Sequence, residues 1–230
     1  MSNSKVVIVV FRWLFNKLRH TRIMTQNMRS PGNGLLGHVA RSVMSHGNEL
    51  VSQDAAERLD IKTGECVLEV GPGNGHGIEK ILSYKPSQVL GIEISESYRE
   101  SLENKFENQN VVILANDAKE LNNVVSDSSV DKLLAVNVVY FLEPLESYVN
   151  EFYRIIKKGG EGIIACKFHG VASFDDSVAV NKDIDFVTSS FEKGGFLVSH
   201  ANVDLGSDFS KYTAITIKQR KVLGSYRYFI

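Results

Sequence analysis

Three acidic side chains follow segments that are typical of buried β-strands. Glu69 lies at the end of "CVLEV", Glu93 follows "QVLGI", and Asp117 comes three residues after "VVIL". The intervals from Glu69 to Glu93 and from Glu93 to Asp117 are both 24 residues, and each has room for one helix and one returning strand. The carboxylates are therefore expected at the same edge of a parallel sheet, where such sheets bind ligands. A buried charge there needs a hydrogen-bond donor, which a ligand or its bound water can supply.

The loop after the first of these strands has almost no side chains. Gly71, Gly73 and Gly75 alternate with other residues in "EVGPGNGHG", and such a loop lets a ligand lie directly on the main chain. A nicotinamide-dinucleotide site would need the pattern G-x-G-x-x-G, but His76 occupies the third glycine position. His76 itself is predicted to be a first-turn surface residue rather than a catalyst.

The pattern of apolar residues predicts an α/β fold. Continuous apolar runs alternate with helical patterns, which indicates a Rossmann-like, doubly wound, mostly parallel sheet of seven strands with helices on both faces. The last two strands have a short connection and are expected to form an antiparallel hairpin at one edge. The strands are predicted at 66–70, 88–94, 111–114, 131–139, 161–168, 195–203 and 211–219. The helices between them are predicted at 76–84, after Ser95, from Ala118, at 145–156 with a stop at Gly159, and at 176–192.

Charge is distributed unevenly along the 230 residues. Residues 1–48 carry seven basic and no acidic side chains, so the remainder of the chain is about −8 within a total of −1. An acidic body is a poor nucleic-acid surface, and no nucleic-acid partner is expected. Cys66 and Cys166 lie in separate apolar runs without a CxxC partner, which indicates buried thiols in a reducing compartment and no metal site. An intracellular, cytoplasmic location is expected.

We divide the chain into a basic N-terminal segment, 1–48, which includes a helix at 35–46, and a main domain, 49–230. The segment begins with "KVVIVVFRWLF", whose six-residue apolar run is too short to span a bilayer, which needs about 20 residues. On a helix, Lys5, Arg12 and Arg19 would share one face because they recur every seven residues. Such a helix suits a membrane surface, a mitochondrial presequence, or packing against the domain as a cap over a bound molecule.

Five motifs carry a specific resemblance. "VLEVGPGNG", "VLGIEIS", "NDAKEL", "SSVDKLLAVNVVYFLEPL" and "FYRIIKKGGEGII" occur in order over about residues 49–220. Together they resemble the class I S-adenosylmethionine-dependent methyltransferases, most closely the type-11 kind that acts on small molecules. The resemblance implies an enzyme whose cofactor is S-adenosyl-L-methionine, with S-adenosyl-L-homocysteine as its product.

The resemblance also implies cofactor-binding roles in the first strand and its loop. Gly71, Gly73 and Gly75 would pass beneath the methionine and ribose portions of the cofactor. Glu69 would help to hold the amino-acid end, partly through water. The glycines could instead serve a tight turn alone, but that alternative leaves the charge at Glu69 unexplained.

The other strand ends receive roles by the same resemblance. Glu93 would accept hydrogen bonds from both ribose hydroxyls, and its neighbour Ile94 would also contact the cofactor. Asp117 would accept from the adenine amino group, while the Ala118 N–H donates to the ring. Asn137 would line the methyl-transfer face through its backbone carbonyl. The simpler alternatives are a solvated strand end for Glu93 and a helix cap for Asp117.

The chemistry at the acceptor is less defined by sequence. Methyl transfer needs a base only if the acceptor must lose a proton, so the candidates Tyr140 and His169 are named by position alone. Asp131 is expected to be structural. A small-molecule, lipid-like acceptor is the leading hypothesis, and peripheral membrane contact through the N-terminal segment accompanies it. A protein acceptor, or a binding or scaffold protein of the same fold, is the alternative, and the oligomeric state is open.

Overall fold

A computed structural model describes residues 3–207 and 209–220, and these form a seven-stranded sheet with helices on both faces. The strand order is β3-β2-β1-β4-β5-β7-β6. Strands β1 to β5 run parallel, while β7 is antiparallel to both of its neighbours. The predicted fold class, including the antiparallel hairpin at one edge, is confirmed. The strands are β1 Cys66–Val70, β2 Gln88–Ile92, β3 Val111–Leu114, β4 Val130–Val136, β5 Ile156–Cys166, β6 Leu197–Asp204 and β7 Lys211–Lys218.

Helices connect the parallel strands and also precede the first of them. Three lie before β1, at α1 Asn3–Leu18, α2 Arg22–Arg29 and α3 Leu35–Arg58. The others follow the strands in turn and cover the two faces of the sheet. They are α4 His76–Leu82, α5 Glu96–Lys105, α6 Leu145–Ile155, α7 Phe168–Val171 and α8 Ile184–Lys193.

The central strands are apolar at successive positions because both faces of the sheet are covered. Side chains alternate between the faces along each strand. One face buries Leu68, Leu133 and Ile164, and the other buries Val67, Leu134 and Ile163. Glu69 lies next to the last residue of β1, near the carboxyl end of that strand.

Helix α3 joins two segments that the sequence predicted separately. The predicted helix at 35–46 and the amphipathic segment after Glu49 form one continuous helix of 24 residues. Gly47 lies inside it, where a glycine costs only about 1 kcal/mol relative to alanine. Buried Val39, Val51 and Ala55 pack this helix on the domain, and that packing outweighs the local cost. The division at residue 48 thus falls within a helix.

The short helix predicted from Ala118 does not form. Residues 118–128 make turns instead, and Ala118, Leu121 and Val125 each bury a side chain in the core. The backbone N–H of Leu121 donates to the Glu151 carboxylate on α6 at 2.8 Å. A tertiary partner therefore takes the place of the intrahelical hydrogen bond.

Two later boundaries also differ from the prediction. Helix α6 ends at Ile155, and β5 begins at Ile156, five residues before the predicted start, because Ile156 pairs with Val130 of β4. Helix α8 begins at Ile184 rather than near residue 176. The Asp183 carboxylate caps this start by accepting the Phe186 N–H at 2.7 Å. In the described part of the chain, no helix combines the length and the hydropathy needed to cross a bilayer.

The loop after β4, which borders the site, is held by one buried amide. The Asn181 Nδ2 donates to the carbonyls of Val139 at 2.9 Å and Leu142 at 2.6 Å. Replacement by alanine would leave two buried carbonyls without these donors. We expect Asn181→Ala to lower the free energy of unfolding by about 1–3 kcal/mol, measured by urea denaturation. The exposed Asn104→Ala is the control, and an equal effect of both variants would contradict this account.

Candidate functional site

A cavity of about 720 Å³ lies at the carboxyl ends of the parallel strands, beneath α1, α2 and α3. Most of the residues predicted to bind the cofactor contribute to its wall, although they come from four different strand ends. The predicted residues in the wall are Glu69, Gly71, Gly73, Glu93, Ile94, Asp117, Ala118, Asn137 and Tyr140. Gly75 and His169 are not part of it.

Glu69 is a buried carboxylate with an unsatisfied oxygen. It is 2% exposed, and its Oε2 has no hydrogen-bond partner among the described residues. Burial, with a smaller contribution from the nearby Glu93, raises its pKa to about 8. The side chain fits beneath the first turn of α4 because Gly77 lacks a Cβ, which would lie 2.2 Å from Oε1. Gly77 therefore belongs to the site, although the sequence did not predict it as a site residue.

Glu93 fixes the shape of the glycine loop. Its Oε1 accepts the Ser95 N–H at 2.8 Å, and its Oε2 accepts the Gly73 N–H at 3.1 Å. Burial raises the pKa of Glu93, and these two hydrogen bonds oppose that rise. The alternative of a solvated strand end is therefore excluded, since the side chain is buried and ties two backbone segments together.

The glycines of the loop serve different purposes. Gly71 and Gly73 line the cavity with positive φ angles of 65° and 54°. A Cβ on Gly71 would lie 2.5 Å from Val138 Cγ1. Gly75 instead faces α5, where a Cβ would lie 2.8 Å from the Phe106 ring and 2.9 Å from Leu102. Its absent side chain allows helix packing, so Gly75 does not provide the predicted surface beneath a ligand.

Asp117 and Ala118 lie at the opposite end of the glycine-lined wall. Asp117 caps no helix, since turns follow it, and its nearest cation is Lys119 with Nζ at 3.8 Å. Tyr148 of α6 lies beside it, and burial together with the Asp117 carboxylate raises the Tyr148 pKa. A partly exposed carboxylate and an adjacent buried backbone are thus available to a ligand at this end.

Asn137 organises the end of β4. It adopts a left-handed backbone with a φ of 57°, which is unusual for a residue other than glycine and typical of functional sites. Its Oδ1 accepts from the Tyr140 hydroxyl at 3.1 Å and from the Lys167 N–H at 3.2 Å, while its Nδ2 donates to Asn48 Oδ1 at 3.0 Å. Burial raises the pKa of Tyr140 well above 10, so this phenol stays protonated and positions its neighbours.

Lys167 is a site residue that the sequence interpretation missed. It lines the cavity directly after β5, where its Nζ donates to the Gly47 carbonyl and, at 3.3 Å, to Asn48 Oδ1. Burial lowers its pKa to about 8. The only signal in the sequence was a cation immediately after a buried strand. His169, the predicted candidate, is exposed and lies outside the cavity wall.

Helix α1 turns a mixed face toward the cavity and an apolar face toward solvent. The cavity wall includes Ile8, Arg12, Phe15, Asn16 and Arg19, which recur at helical spacing. Arg12 and Arg19 therefore both line the cavity, although Arg19 lies just after the end of α1, and Lys5 lies outside the residues whose side chains are described. The outward face exposes Val9, Val10 and Trp13, the last by 60%. Membrane contact through this segment stays a prediction.

The hydrogen-bonding groups of the cavity wall can be compared with those of S-adenosylmethionine. The cofactor carries an ammonium group, which suits the unpaired carboxylate oxygen of Glu69. The bare backbone at Gly71 and Gly73 admits a ligand against the main chain. Glu93 and Asp117 supply further acceptors for hydroxyl and amino groups. The residues present thus fit this cofactor. Within residues 3–207 and 209–220, no three His, Cys, Asp or Glu side chains cluster as metal ligands.

Residues 68–164 match a family model, Methyltransf_11, described as a methyltransferase domain. The fold resembles a solved S-adenosylmethionine-dependent methyltransferase from Aquifex aeolicus, with a TM-score of 0.58, 19% identity, and coverage of 74% of this chain and 91% of that one. The fold, the glycine loop and the acid-tipped strands define a class I S-adenosylmethionine-dependent methyltransferase. Residues 68–164 thus match the methyltransferase-domain family that was predicted, and S-adenosylmethionine is the cofactor of the class.

Two sequence relatives share parts of the domain. The chain is 38% identical over 89 residues to "Probable ribosomal RNA small subunit methyltransferase A" of Pyrococcus furiosus, covering 35% of this chain and 32% of the relative. It thus spans about a third of that relative's length. It is 24% identical over 127 residues to "Uncharacterized methyltransferase YdaC" of Bacillus subtilis, covering 55% of this chain and 69% of the relative.

The raised pKa of Glu69 predicts a pH-dependent stability. Its carboxyl group has a pKa near 4.5 when unfolded and about 8 when folded, so the folded protein binds more protons between these values. The contribution of Glu69 to the free energy of unfolding is therefore greatest below pH 4.5 and is lost as the pH rises to about 8. At pH 8.5 we expect the Glu69→Gln variant to exceed the wild type by about 2–5 kcal/mol in free energy of unfolding.

Chemical denaturation of the ligand-free protein at pH 5.5 and pH 8.5 measures this difference. The exposed Glu96→Gln on α5 serves as the matched control and should follow the wild type at both pH values. If Glu69→Gln and wild type lost the same free energy between the two pH values, the buried, unpaired state of Glu69 would be refuted.

Glu93 is expected to contribute directly to cofactor affinity. Glu93→Gln keeps the size of the side chain but removes the charge that strengthens its hydrogen bonds. We expect the dissociation constant for S-adenosylhomocysteine to rise about tenfold or more in isothermal calorimetry. Glu96→Gln should leave it unchanged, and an unaltered affinity of Glu93→Gln would remove Glu93 from the cofactor site.

Proposed function

We propose that this protein transfers a methyl group from S-adenosylmethionine to a small, largely apolar acceptor held beneath α1 and α2. The observation that carries the proposal is the continuity of the cavity. One end of its wall holds the carboxylates and the glycine loop, and the other end is apolar. That apolar part includes Phe15, Met28, Phe141, Leu142, Val171 and Phe174.

The volume and lining of the cavity suit two molecules bound side by side. About 720 Å³ lies in the upper part of the range that small-molecule sites occupy, about 300–1,000 Å³. Helices α1 and α2 contribute to the wall on the side away from the sheet, so an acceptor there would be shielded from water. An acceptor with an apolar body would gain about 25 cal/mol for each Å² that it buries.

The chain's own residues would act mainly by alignment and desolvation. When bound, S-adenosylmethionine supplies a methyl group activated by its sulfonium. Asn137 and Tyr140 hold the end of β4 rigid next to the acceptor space, and such positioning can contribute about 7–11 kcal/mol to a bimolecular reaction. If the acceptor must lose a proton, Lys167 is the group in the wall whose lowered pKa suits a base.

Other acceptor classes have weaker support. The Pyrococcus relative is named for ribosomal RNA, but the match includes only about a third of that protein. Residues 49–230 of this chain carry a net charge of about −8, which disfavours RNA binding. A protein acceptor would leave the apolar chamber without an explanation, and a binding protein without turnover is separated from an enzyme by the transfer assay.

Transfer of tritiated methyl groups from S-adenosylmethionine into a cell extract tests the proposal. After incubation, the extract is separated into organic-soluble, RNA and protein fractions. We expect the label in the organic-soluble fraction and its loss with the Glu93→Gln variant. Label found only in the RNA or the protein fraction would show that the acceptor is RNA or protein and not a small apolar molecule. An absence of transfer despite S-adenosylhomocysteine binding would favour a binding protein.

The role of Lys167 can be separated from its structural contacts in the same assay. Lys167→Arg keeps a cation beside Gly47 and Asn48 but cannot lose its proton near pH 8. We expect turnover of the wild type to rise between pH 7 and pH 9, and turnover of Lys167→Arg to be lower by about 10²-fold or more.

Lys158→Met, an exposed change on the same strand, is the control and should behave like the wild type. Full activity of Lys167→Arg with an unchanged pH profile would show that the lysine acts only as a structural cation.

A further inference from the structure

Arg12 of α1 and Arg19, which directly follows that helix, line the cavity without an acidic partner among the described residues. Arg12 and Arg19 lie seven residues apart, with Asn16 between them, and all three line the cavity. Neither guanidinium forms an ion pair with any described carboxylate. The three side chains, which we call the α1 polar edge, can donate hydrogen bonds but provide no negative charge.

The carboxylates of the cavity lie elsewhere and have other contacts. Glu93 accepts hydrogen bonds from the glycine loop and from Ser95, and Asp117 lies nearest to Lys119. Glu69 lies under α4, on the sheet side of the cavity. Arg29 of α2 also lines the cavity, but it acts electrostatically on Tyr148 near Asp117, which is the predicted adenine end.

An aromatic ring lies beside the Arg12 guanidinium. Its guanidinium carbon lies 4.4 Å from the centre of the Phe209 ring. A cation–π contact of this kind uses no N–H donor, so the guanidinium can still donate hydrogen bonds to a ligand. Phosphate and carboxylate groups match that planar fork with two hydrogen bonds. Arg12 is thus held in position to bind an anion.

We infer that the acceptor is an amphipathic anion, with a phosphate or carboxylate group at the α1 polar edge and a hydrocarbon body in the apolar chamber. This inference rests on the proposed function and specifies its substrate class. Ile8 and Phe15 line the cavity from the same helix as Arg12. The wall therefore changes from charged to apolar within one or two helical turns, as an amphipathic ligand requires.

The inference can be tested with three probes that share one chain length. Decyl phosphate, decanol and decyltrimethylammonium are titrated, below their micelle concentrations, into full-length protein saturated with S-adenosylhomocysteine. Saturation keeps the probes out of the cofactor's own subsite. We expect decyl phosphate to bind at least about tenfold tighter than decanol, because hydrogen bonds to charged groups add to the burial of the same chain. The cationic probe should bind most weakly.

Variants then locate the anion. Arg12→Gln and Arg19→Gln are each expected to weaken decyl phosphate binding by about 3- to 10-fold while decanol binding stays within about twofold. Lys17→Gln is the matched control, since it removes one positive charge from an exposed position of the same helix outside the cavity wall. Its decyl phosphate affinity should equal that of the wild type.

Vesicles identify the source of the anionic group. Sedimentation with phosphatidylcholine vesicles that contain phosphatidic acid, in the presence and absence of decyl phosphate, separates a lipid headgroup from a free amphiphile. Vesicle binding that decyl phosphate displaces supports the headgroup. Binding of decyl phosphate alone supports the free molecule. In both cases we expect binding to be weaker in the Arg12→Gln and Arg19→Gln variants.

Other outcomes overturn the inference. Equal affinities for decyl phosphate and decanol, or an equal loss in Lys17→Gln, would show that the arginines select no anionic ligand. Binding of a short RNA oligonucleotide that depends on Arg12 and Arg19, without decyl phosphate binding, would assign them to RNA. A failure to bind S-adenosylhomocysteine would instead refute the proposed function, so the two failures are distinguishable.

Discussion

The structure depends on two carboxylates buried beside each other at the edge of the sheet. Glu69 and Glu93 end neighbouring parallel strands, and no described cationic side chain pairs with Glu69. Burying such groups is costly, and the rest of the site reduces that cost. Gly73 donates its N–H to Glu93, and Gly77 leaves room for Glu69 beneath α4. A ligand that brings a positive charge would satisfy the remaining oxygen, which is why this edge selects a cationic cofactor.

The N-terminal helices convert this general cofactor edge into a specific chamber. Arg12 of α1 and the adjoining Arg19 line the cavity, while the same helix exposes Val9 and Trp13 to solvent. Helix α3 is tied to the sheet by Asn48, whose side chain contacts both Asn137 and Lys167. The cofactor edge is thus a property of the sheet, whereas the proposed acceptor chamber combines the helices that precede the sheet with the segments that follow β4 and β5.

Sequence reasoning succeeded where a local pattern matched its tertiary setting. The five parallel strands were predicted in order because each contains a continuous apolar run, and the last two were predicted as a hairpin from their short connection. It failed where a distant residue replaced a local interaction. The turns after Ala118 form because Glu151 binds the Leu121 N–H, and β5 starts early because Ile156 finds a partner in β4. Gly75 was misplaced since spacing cannot show that its bare backbone faces α5.

The sequence by itself determined the parallel sheet, the acid-tipped strand ends and the glycine loop, because each follows from local periodicity and from the fixed directions of parallel strands. Only the tertiary structure decided which groups share the cavity. It placed His169 outside the cavity wall and Lys167, Arg12 and Arg19 within it. The reason is physical. Burial raises the pKa of Glu69 and lowers that of Lys167, and burial depends on packing between segments that are far apart in the chain.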